Sequence, residues 1–142
     1  MSNKKPLTQK STQESRPKQR KTIYLAGQMS GVKNHNYPKF FRGQARLEKA
    51  GYEVINPARL NTVGDAWSDC LRNDILHIVK YCDGIALLDD WMLSRGARLE
   101  LAIALRLEMF VISAHTLKPM HITLDKLFLH RKRGGYVARY KG

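Results

Sequence analysis

The stretch GIALLDDWMLSRGARLELAIALRLEMFVI, residues 84–112, carries the strongest structural signal in the sequence. Residues 84–88 are nearly all apolar, which is typical of a parallel strand that is covered on both faces. Ser94 is a common helix-capping residue, and it opens a predicted helix that runs to about Glu108. Residues 110–112 form the next predicted strand. The order of strand, helix and strand predicts a parallel crossover connection.

The residues before this stretch repeat the same alternation. The predicted strands lie at 22–26 and 52–55, and the predicted helices lie at 38–49 and 68–81. The first helix is predicted to pack through Phe40, Phe41, Ala45 and Leu47. Because every crossover is long enough to join parallel strands, the predicted fold class is α/β, with an open parallel sheet flanked by helices in a single domain.

The charge of the 142-residue chain is concentrated at its two ends. The formal net charge is +13, yet residues 22–117 hold eleven basic and ten acidic side chains and are nearly neutral. Residues 1–20 contain one large aliphatic side chain and are predicted to be a disordered basic arm. The domain is predicted at 21–117 and a basic C-terminal extension at 118–142, with a short helix at 124–129 and a mobile tail from residue 131.

Several classes of protein are excluded by what the sequence lacks. No apolar run approaches the roughly 20 residues of a membrane-spanning helix. Cys70 and Cys82 form no C-x-x-C pair, which predicts a cytoplasmic protein with reduced thiols. Neither G-x-G-x-x-G nor G-x-x-x-x-G-K-[ST] occurs, so a dinucleotide-dependent oxidoreductase or a P-loop NTPase is not expected. The histidines have no metal-ligand spacing, so neither a metal nor a cofactor is predicted.

Small, polar and charged residues follow the predicted strands on one rim of the sheet. Ligands of open parallel sheets bind at this rim, beyond the carboxyl ends of the strands. Trp91 either covers a flat ligand or closes the end of the core. The candidate binding residues are Gly27, Met29, Ser30, Gly31, Asn56, Pro57, Asp89, Trp91, Ser94, Arg95 and Gly96.

Glu100 lies on the helix face that should pack against the sheet, because its neighbours at three, four and seven positions are small or apolar. Asp74 has the same kind of position on the preceding helix. Burying an acid costs on the order of several kcal/mol unless a partner or a function retains it. Two inward carboxylates resemble a glycosyl-transfer arrangement, and the alternative is that each satisfies a buried Arg or a backbone donor.

Ser94, Arg95 and Gly96 lie where a strand meets a helix N-terminus. Free backbone N–H groups, a hydroxyl group and a guanidinium group at such a place suit a phosphate. The alternative interpretation is a simple N-cap with a surface Arg.

The run at residues 23–27, the helix with Asp74, the Cys82-Asp83 entry to the next strand and the pattern Ser94-x-Gly96-x-x-x-Glu100 resemble the nucleoside 2-deoxyribosyltransferase superfamily. Four motifs are G-x-M-[ST]-G at 27–31, N-Y-P-x-F at 36–40, G-Y-x-V-x-N-P at 51–57 and W-x-x-S-x-G-A-x-x-E at 91–100. By these motifs the chain most resembles a small branch of the superfamily that is of unknown function and common in bacteriophages. The resemblance covers about residues 22–113, and the last motif is the most specific.

This resemblance implies a flavodoxin-like sheet and cleavage of an N-glycosidic bond with retention. By the same likeness, Glu100 is the nucleophile, Asp74 orients the base or assists its protonation, and Tyr24 lies near the nucleophile and the sugar. The deoxynucleoside 5′-monophosphate N-glycosidases of the superfamily use a serine at the Ser94 position for the phosphate. Ser94 with Arg95 therefore favours a nucleotide over a free nucleoside.

Two further expectations concern partners. Members of the superfamily are usually dimers or larger, which predicts a homo-oligomer. The basic ends of the chain predict weak, salt-sensitive, non-specific binding to nucleic acid, and the alternative is that they only aid solubility or contact another protein. An alternative to the enzyme is a non-catalytic module that binds a nucleotide and leaves it intact.

Overall fold

The computed structural model describes residues 19–127, 129–132 and 135–138. Its main sheet has four strands, and three longer helices cover it. The strands are β1 (Thr22–Ala26), β2 (Glu53–Ile55), β3 (Gly84–Leu87) and β4 (Phe110–Ser113). The helices are α1 (Tyr37–Lys49), the short α2 (Pro57–Leu60), α3 (Trp67–Tyr81) and α4 (Arg95–Arg106).

The main sheet is entirely parallel and has the strand order β2-β1-β3-β4. This order is that of a flavodoxin-like or Rossmann-like fold, so the predicted α/β fold class is confirmed. Strands β1 and β3 are central, and their residues pair from Ile23 with Gly84 to Ala26 with Leu87. Their carboxyl ends therefore lie side by side at one rim of the sheet.

Side chains of β1 alternate between the two faces of the sheet, as the period of two in a strand requires. Ile23 and Leu25 pack in one cluster with residues of α1, including Phe40 and Leu47. Tyr24 packs in the other cluster, with residues of α3 and α4. The face that holds Tyr24 is thus the face covered by the two helices that carry Asp74 and Glu100.

Local hydrogen bonds explain where the helices begin and end. The Ser94 hydroxyl group accepts a hydrogen bond from the Ala97 N–H at 3.1 Å and caps α4, as its residue type predicts. Helix α1 has Pro38 in its first turn and is followed by Gly51 with φ of 103°. Its buried side is formed by Phe40, Gly43, Gln44 and Leu47. The prediction that Phe41 and Ala45 belong to the packing face is wrong, since both are exposed.

The region after β4 differs from its prediction. Leu124–Lys126 forms a single 3-10 turn in place of the expected helix at 124–129. Strands β5 (Leu129–Lys132) and β6 (Gly135–Ala138) pair antiparallel, so the prediction of a mobile tail from residue 131 is wrong for 131–132 and 135–138. Gly134 and Gly135 are residue types that favour turns, a signal in the sequence that the interpretation overlooked. Most of the predicted N-terminal arm, residues 1–18, lies outside the described residues.

No helix among the described residues combines the length and the apolar character that crossing a membrane requires.

Candidate active site

Tyr24 and Glu100 form a buried pair beneath the rim of the sheet. The Tyr24 hydroxyl group donates a hydrogen bond to Glu100 Oε2 at 2.9 Å. Tyr24 is fully buried, and Glu100 is 5% exposed. Central strand β1 fixes the tyrosine and the inward face of α4 fixes the glutamate, so the pair joins two separate layers of the fold.

Asp74 lies beside this pair on the inward face of α3 and is 8% exposed. Its carboxyl group lies close enough to both residues to raise the pKa of Tyr24 and of Glu100, in addition to the effect of burial. On its other side, the Asn61 Nδ2 donates to Asp74 Oδ1 at 2.8 Å. The Asn73 Nδ2 in turn donates to Asn61 Oδ1 at 3.1 Å, which orients the Asn61 amide group toward Asp74.

The two carboxyl groups have a strong tendency to retain protons. Burial raises the pKa of Glu100 well above its ordinary value, and the neighbouring charge of Asp74 raises it further. Burial also raises the pKa of Asp74, and the hydrogen bond from Asn61 opposes this increase. Because the two groups adjoin each other, the second proton leaves less readily than the first, and the pair holds a single proton over an extended pH range.

An open cavity of about 210 Å³ lies over Tyr24, Asp74 and Glu100. The loop after β1 forms one wall, residues 61–65 and Trp67 form another, and the start of α4 forms a third. Of the predicted site residues, the cavity brings together Tyr24, Gly27, Met29, Ser30, Pro57, Asp74, Ser94, Gly96 and Glu100.

Arg95 lies next to the wall formed by Ser94 and Gly96, although it does not line the cavity. Its guanidinium carbon is 4.8 Å from the centre of the Trp67 ring, a cation–π distance. Trp67 itself lines the cavity and is 46% exposed. The stacked ring therefore holds a positive charge close to the cavity entrance.

Besides Arg95, four predicted binding residues lie outside the cavity lining. Asn56 caps α2 by accepting from the Ala58 N–H at 2.9 Å, and it also donates to Gln44. Asp89 is exposed and pairs with Lys39. Trp91 is buried in the core, so it closes the end of the core as one of its two interpretations predicts. Gly31 has φ of 79° and serves a turn.

The sequence interpretation missed several residues that line the cavity, including His35, Tyr37, Asn61, Asp65 and Trp67. All but Tyr37 and Trp67 lie in loops, where no periodicity indicates the direction of a side chain. Trp67 is the first residue of α3 and precedes Asp74 by seven positions, which places both on the same face of the helix. This spacing is the signal in the sequence that could have identified Trp67.

Among the residues that line the cavity, three carry carboxyl groups and none is a Lys or an Arg. The described residues contain no group of His, Cys, Asp and Glu side chains that could hold a metal ion. The functional groups available inside the cavity are therefore carboxyl, phenol, imidazole, thiol, amide and hydroxyl groups.

Comparison with known proteins gives one family. Residues 21–113 match the family described as Domain of unknown function (DUF4406). A search of the curated proteins finds no match.

Proposed function

The chain belongs to the DUF4406 family, a domain of unknown function, and from its site we propose that it cleaves the N-glycosidic bond of (deoxy)nucleoside 5′-monophosphates, by hydrolysis or by transfer. Glu100 is the nucleophile in this proposal, Asp74 is the proton donor to the base, and Tyr24 positions Glu100. A likeness of residues 23–27 and 94–100 to the nucleoside 2-deoxyribosyltransferase superfamily supports the same reaction.

One observation carries the proposal: a buried Tyr24–Glu100 hydrogen bond of 2.9 Å with a second carboxyl group beside it, at the base of an open cavity. A single proton on two adjoining carboxyl groups provides one ionised group and one acid, which is the pair that retaining glycosidases require. Burial and the charge of Asp74 raise the pKa of Glu100, and the hydrogen bond from the Tyr24 hydroxyl group opposes them by favouring the carboxylate. The proposed reaction uses the form of the pair in which Glu100 is ionised and Asp74 holds the proton.

The steps follow from these protonation states. Ionised Glu100 attacks the anomeric carbon, the carbon–nitrogen bond breaks, and its electron pair leaves with the base. Asp74 gives its proton to the departing base. Asp74, now ionised, takes a proton from a water molecule in hydrolysis, or from a ring N–H of an acceptor base in transfer, and the resulting oxygen or nitrogen nucleophile displaces Glu100 from the sugar.

The start of α4 supports the choice of a monophosphate. Ser94, Gly96 and Ala97 at the start of α4 line the cavity wall, and the N-terminus of a helix attracts anions. The Arg95 guanidinium group, stacked on Trp67, adds a positive charge beside them. Because the cavity interior contains carboxyl groups and no Lys or Arg, the anionic end of the substrate fits best at this entrance.

The direct test is incubation of the protein with a panel of deoxyribonucleotides and ribonucleotides, followed by chromatography for free base. We expect base release from at least one monophosphate, with the sugar 5-phosphate as the second product of hydrolysis. A folded sample that releases no base from any nucleotide would contradict the proposed reaction.

Replacement of Arg95 by Ala should raise the KM for the monophosphate by about 10- to 100-fold, since a charge-assisted hydrogen bond contributes roughly 1.5–3 kcal/mol. The KM for the corresponding nucleoside should stay unchanged. Arg106→Ala is the matched control, because Arg106 is an exposed arginine at the other end of the same helix. Equal effects of Arg95→Ala on nucleotide and nucleoside would argue against phosphate binding at this place.

Binding without cleavage is the second candidate function. It is favoured by the raised pKa of Glu100, because a protonated carboxyl group is not a nucleophile. Calorimetry followed by recovery of the ligand separates the two functions. Tight binding of a nucleotide that is recovered intact after long incubation would establish the binding module in place of the enzyme.

A further inference from the structure

The loop between β1 and α1 contains a segment with an unusual backbone. Asn34, His35 and Asn36 all have positive φ, at 55°, 54° and 59°, and form one left-handed turn. Residues other than glycine rarely adopt this conformation, and three in succession are costly even when two of them are asparagines. The turn persists only if its surroundings hold it in place.

The Asp90 carboxylate provides that support. It accepts hydrogen bonds from the Gln28 backbone N–H at 2.9 Å, from Asn36 Nδ2 at 3.0 Å and from Lys39 Nζ at 3.0 Å. Asn36 Nδ2 also donates to the Gln28 carbonyl oxygen at 2.7 Å, so the two ends of the loop are joined to each other as well. We call Gln28, Asn36, Lys39 and Asp90 the Asp90 clasp.

Gly27, the first residue of the loop, packs closely against the Asp90 carboxylate. A Cβ atom at Gly27 would lie 2.7 Å from Leu88 Cδ1 and 3.0 Å from Asp90 Oδ1, so no larger residue fits without a shift. The Asp90 side chain is 15% exposed, which protects its hydrogen bonds from competing water. The loop is therefore fixed at its first residue, at Gln28 and at Asn36.

The fixed loop is the cavity wall opposite Trp67. It contributes Gly27, Met29, Ser30 and His35 to the lining, while Asp90 itself is absent from the lining. His35 belongs to the left-handed turn, and its ring centre is 5.4 Å from that of Tyr37. Losing the clasp would release these side chains from the cavity without touching Tyr24, Asp74 or Glu100.

We infer that Asp90 is a positioning residue that acts through the Gly27–Asn36 loop and fixes the cavity wall against which the substrate binds. The inference rests on the proposed function for its kinetic test. It assigns Asp90 a role in substrate binding and none in the bond-breaking step, because Asp90 contacts the loop rather than the catalytic carboxyl groups.

The kinetic test compares Asp90→Asn with Asp89→Asn. The Asp90→Asn change places an amide N–H₂ group where one of the three donors needs an acceptor, so the clasp loses at least one hydrogen bond together with the ion pair to Lys39. We expect the KM for the nucleotide to rise about tenfold or more, while kcat changes less than about threefold. Asp89→Asn removes only the exposed partner of Lys39 and should leave both constants unchanged. An unchanged KM in Asp90→Asn, or an equal loss in Asp89→Asn, would overturn the inference.

Hydrogen exchange gives a readout that does not depend on turnover. Backbone amides of the loop at 28–36 should exchange at least about tenfold faster in Asp90→Asn than in the unmodified protein, while the amides of β1 and β3 keep their protection. Asn36→Ala removes a different member of the clasp and should accelerate the same amides. If no nucleotide is cleaved or bound, the proposed function fails, and the exchange rates still decide whether Asp90 holds the loop. Loop exchange that is unchanged in both variants would refute the clasp.

Discussion

Replacement of Glu100 by Gln should lower the rate of base release by at least about 10³-fold and leave the fold intact. Gln has the size of Glu, and its carbonyl oxygen can still accept the hydrogen bond from Tyr24 that the structure gives to Glu100 Oε2 at 2.9 Å. The neutral amide cannot form the glycosyl-enzyme intermediate. Single-turnover chromatography of free base measures the loss, and a Glu100→Gln variant that keeps its rate within about tenfold of the original would remove Glu100 from the mechanism.

The stability of the same variant provides an internal control. Burial raises the pKa of Glu100, so the protonated side chain stabilises the fold below the ordinary pKa of a glutamate, and this contribution is lost as pH rises through the raised value. The unmodified protein should therefore lose stability over that interval, and Glu100→Gln should lose less, because only the raised pKa of Asp74 remains. Thermal melting at several pH values should show the variant at least as stable as the original at neutral pH, which separates loss of chemistry from loss of fold.

Replacement of Asp74 by Asn should lower base release by about 10²- to 10⁴-fold, the range typical of a lost proton donor. It should also remove the basic limb of the pH profile, on which activity falls as Asp74 loses its proton. Burial raises the pKa of Asp74, so the unmodified protein keeps this proton to higher pH than an ordinary aspartate would and loses activity above that pH, whereas Asn has no such proton to lose.

The measurement for Asp74→Asn is kcat/KM against pH, compared with the unmodified protein and with Asn73→Ala. Asn73 contacts Asn61 rather than the carboxyl pair, so its loss should affect the profile much less. A basic limb in Asp74→Asn that coincides with that of the unmodified protein would contradict the role of Asp74 as proton donor.

The positions of Asp74 and Glu100 could be predicted from the sequence, because the periodicity of each helix shows which of its faces is buried. Glu100 and Asp74 interrupt apolar helix faces, and the structure finds both of them buried. Asn61 could not be predicted in this way, because its contact with Asp74 depends on the course of a loop. Loop paths follow from packing between distant segments, and spacing along the chain does not record them.

The packing face of α1 shows a second limit of pattern analysis. Gln44 can be buried because its side-chain oxygen accepts a hydrogen bond from Asn56 Nδ2 at 2.9 Å. Gly43 packs closely against Leu25 and Leu88, where a larger side chain would be crowded. A search for apolar residues passes over both and selects Phe41 instead, which is 43% exposed.

The prediction of a homo-oligomer and that of nucleic-acid binding by the basic ends remain predictions.

The pairing of Tyr24 with Glu100 also constrains when the protein can become active. The two residues are 76 positions apart, and they meet only after β1 has paired with β3 and α4 has docked on the sheet. Because synthesis proceeds from the N-terminus, Tyr24 leaves the ribosome long before Glu100 has been added to the chain. Contacts of such separation form late, since loop closure must precede them. Recovery of base release after dilution from denaturant should therefore coincide with the slowest refolding phase and with no earlier one.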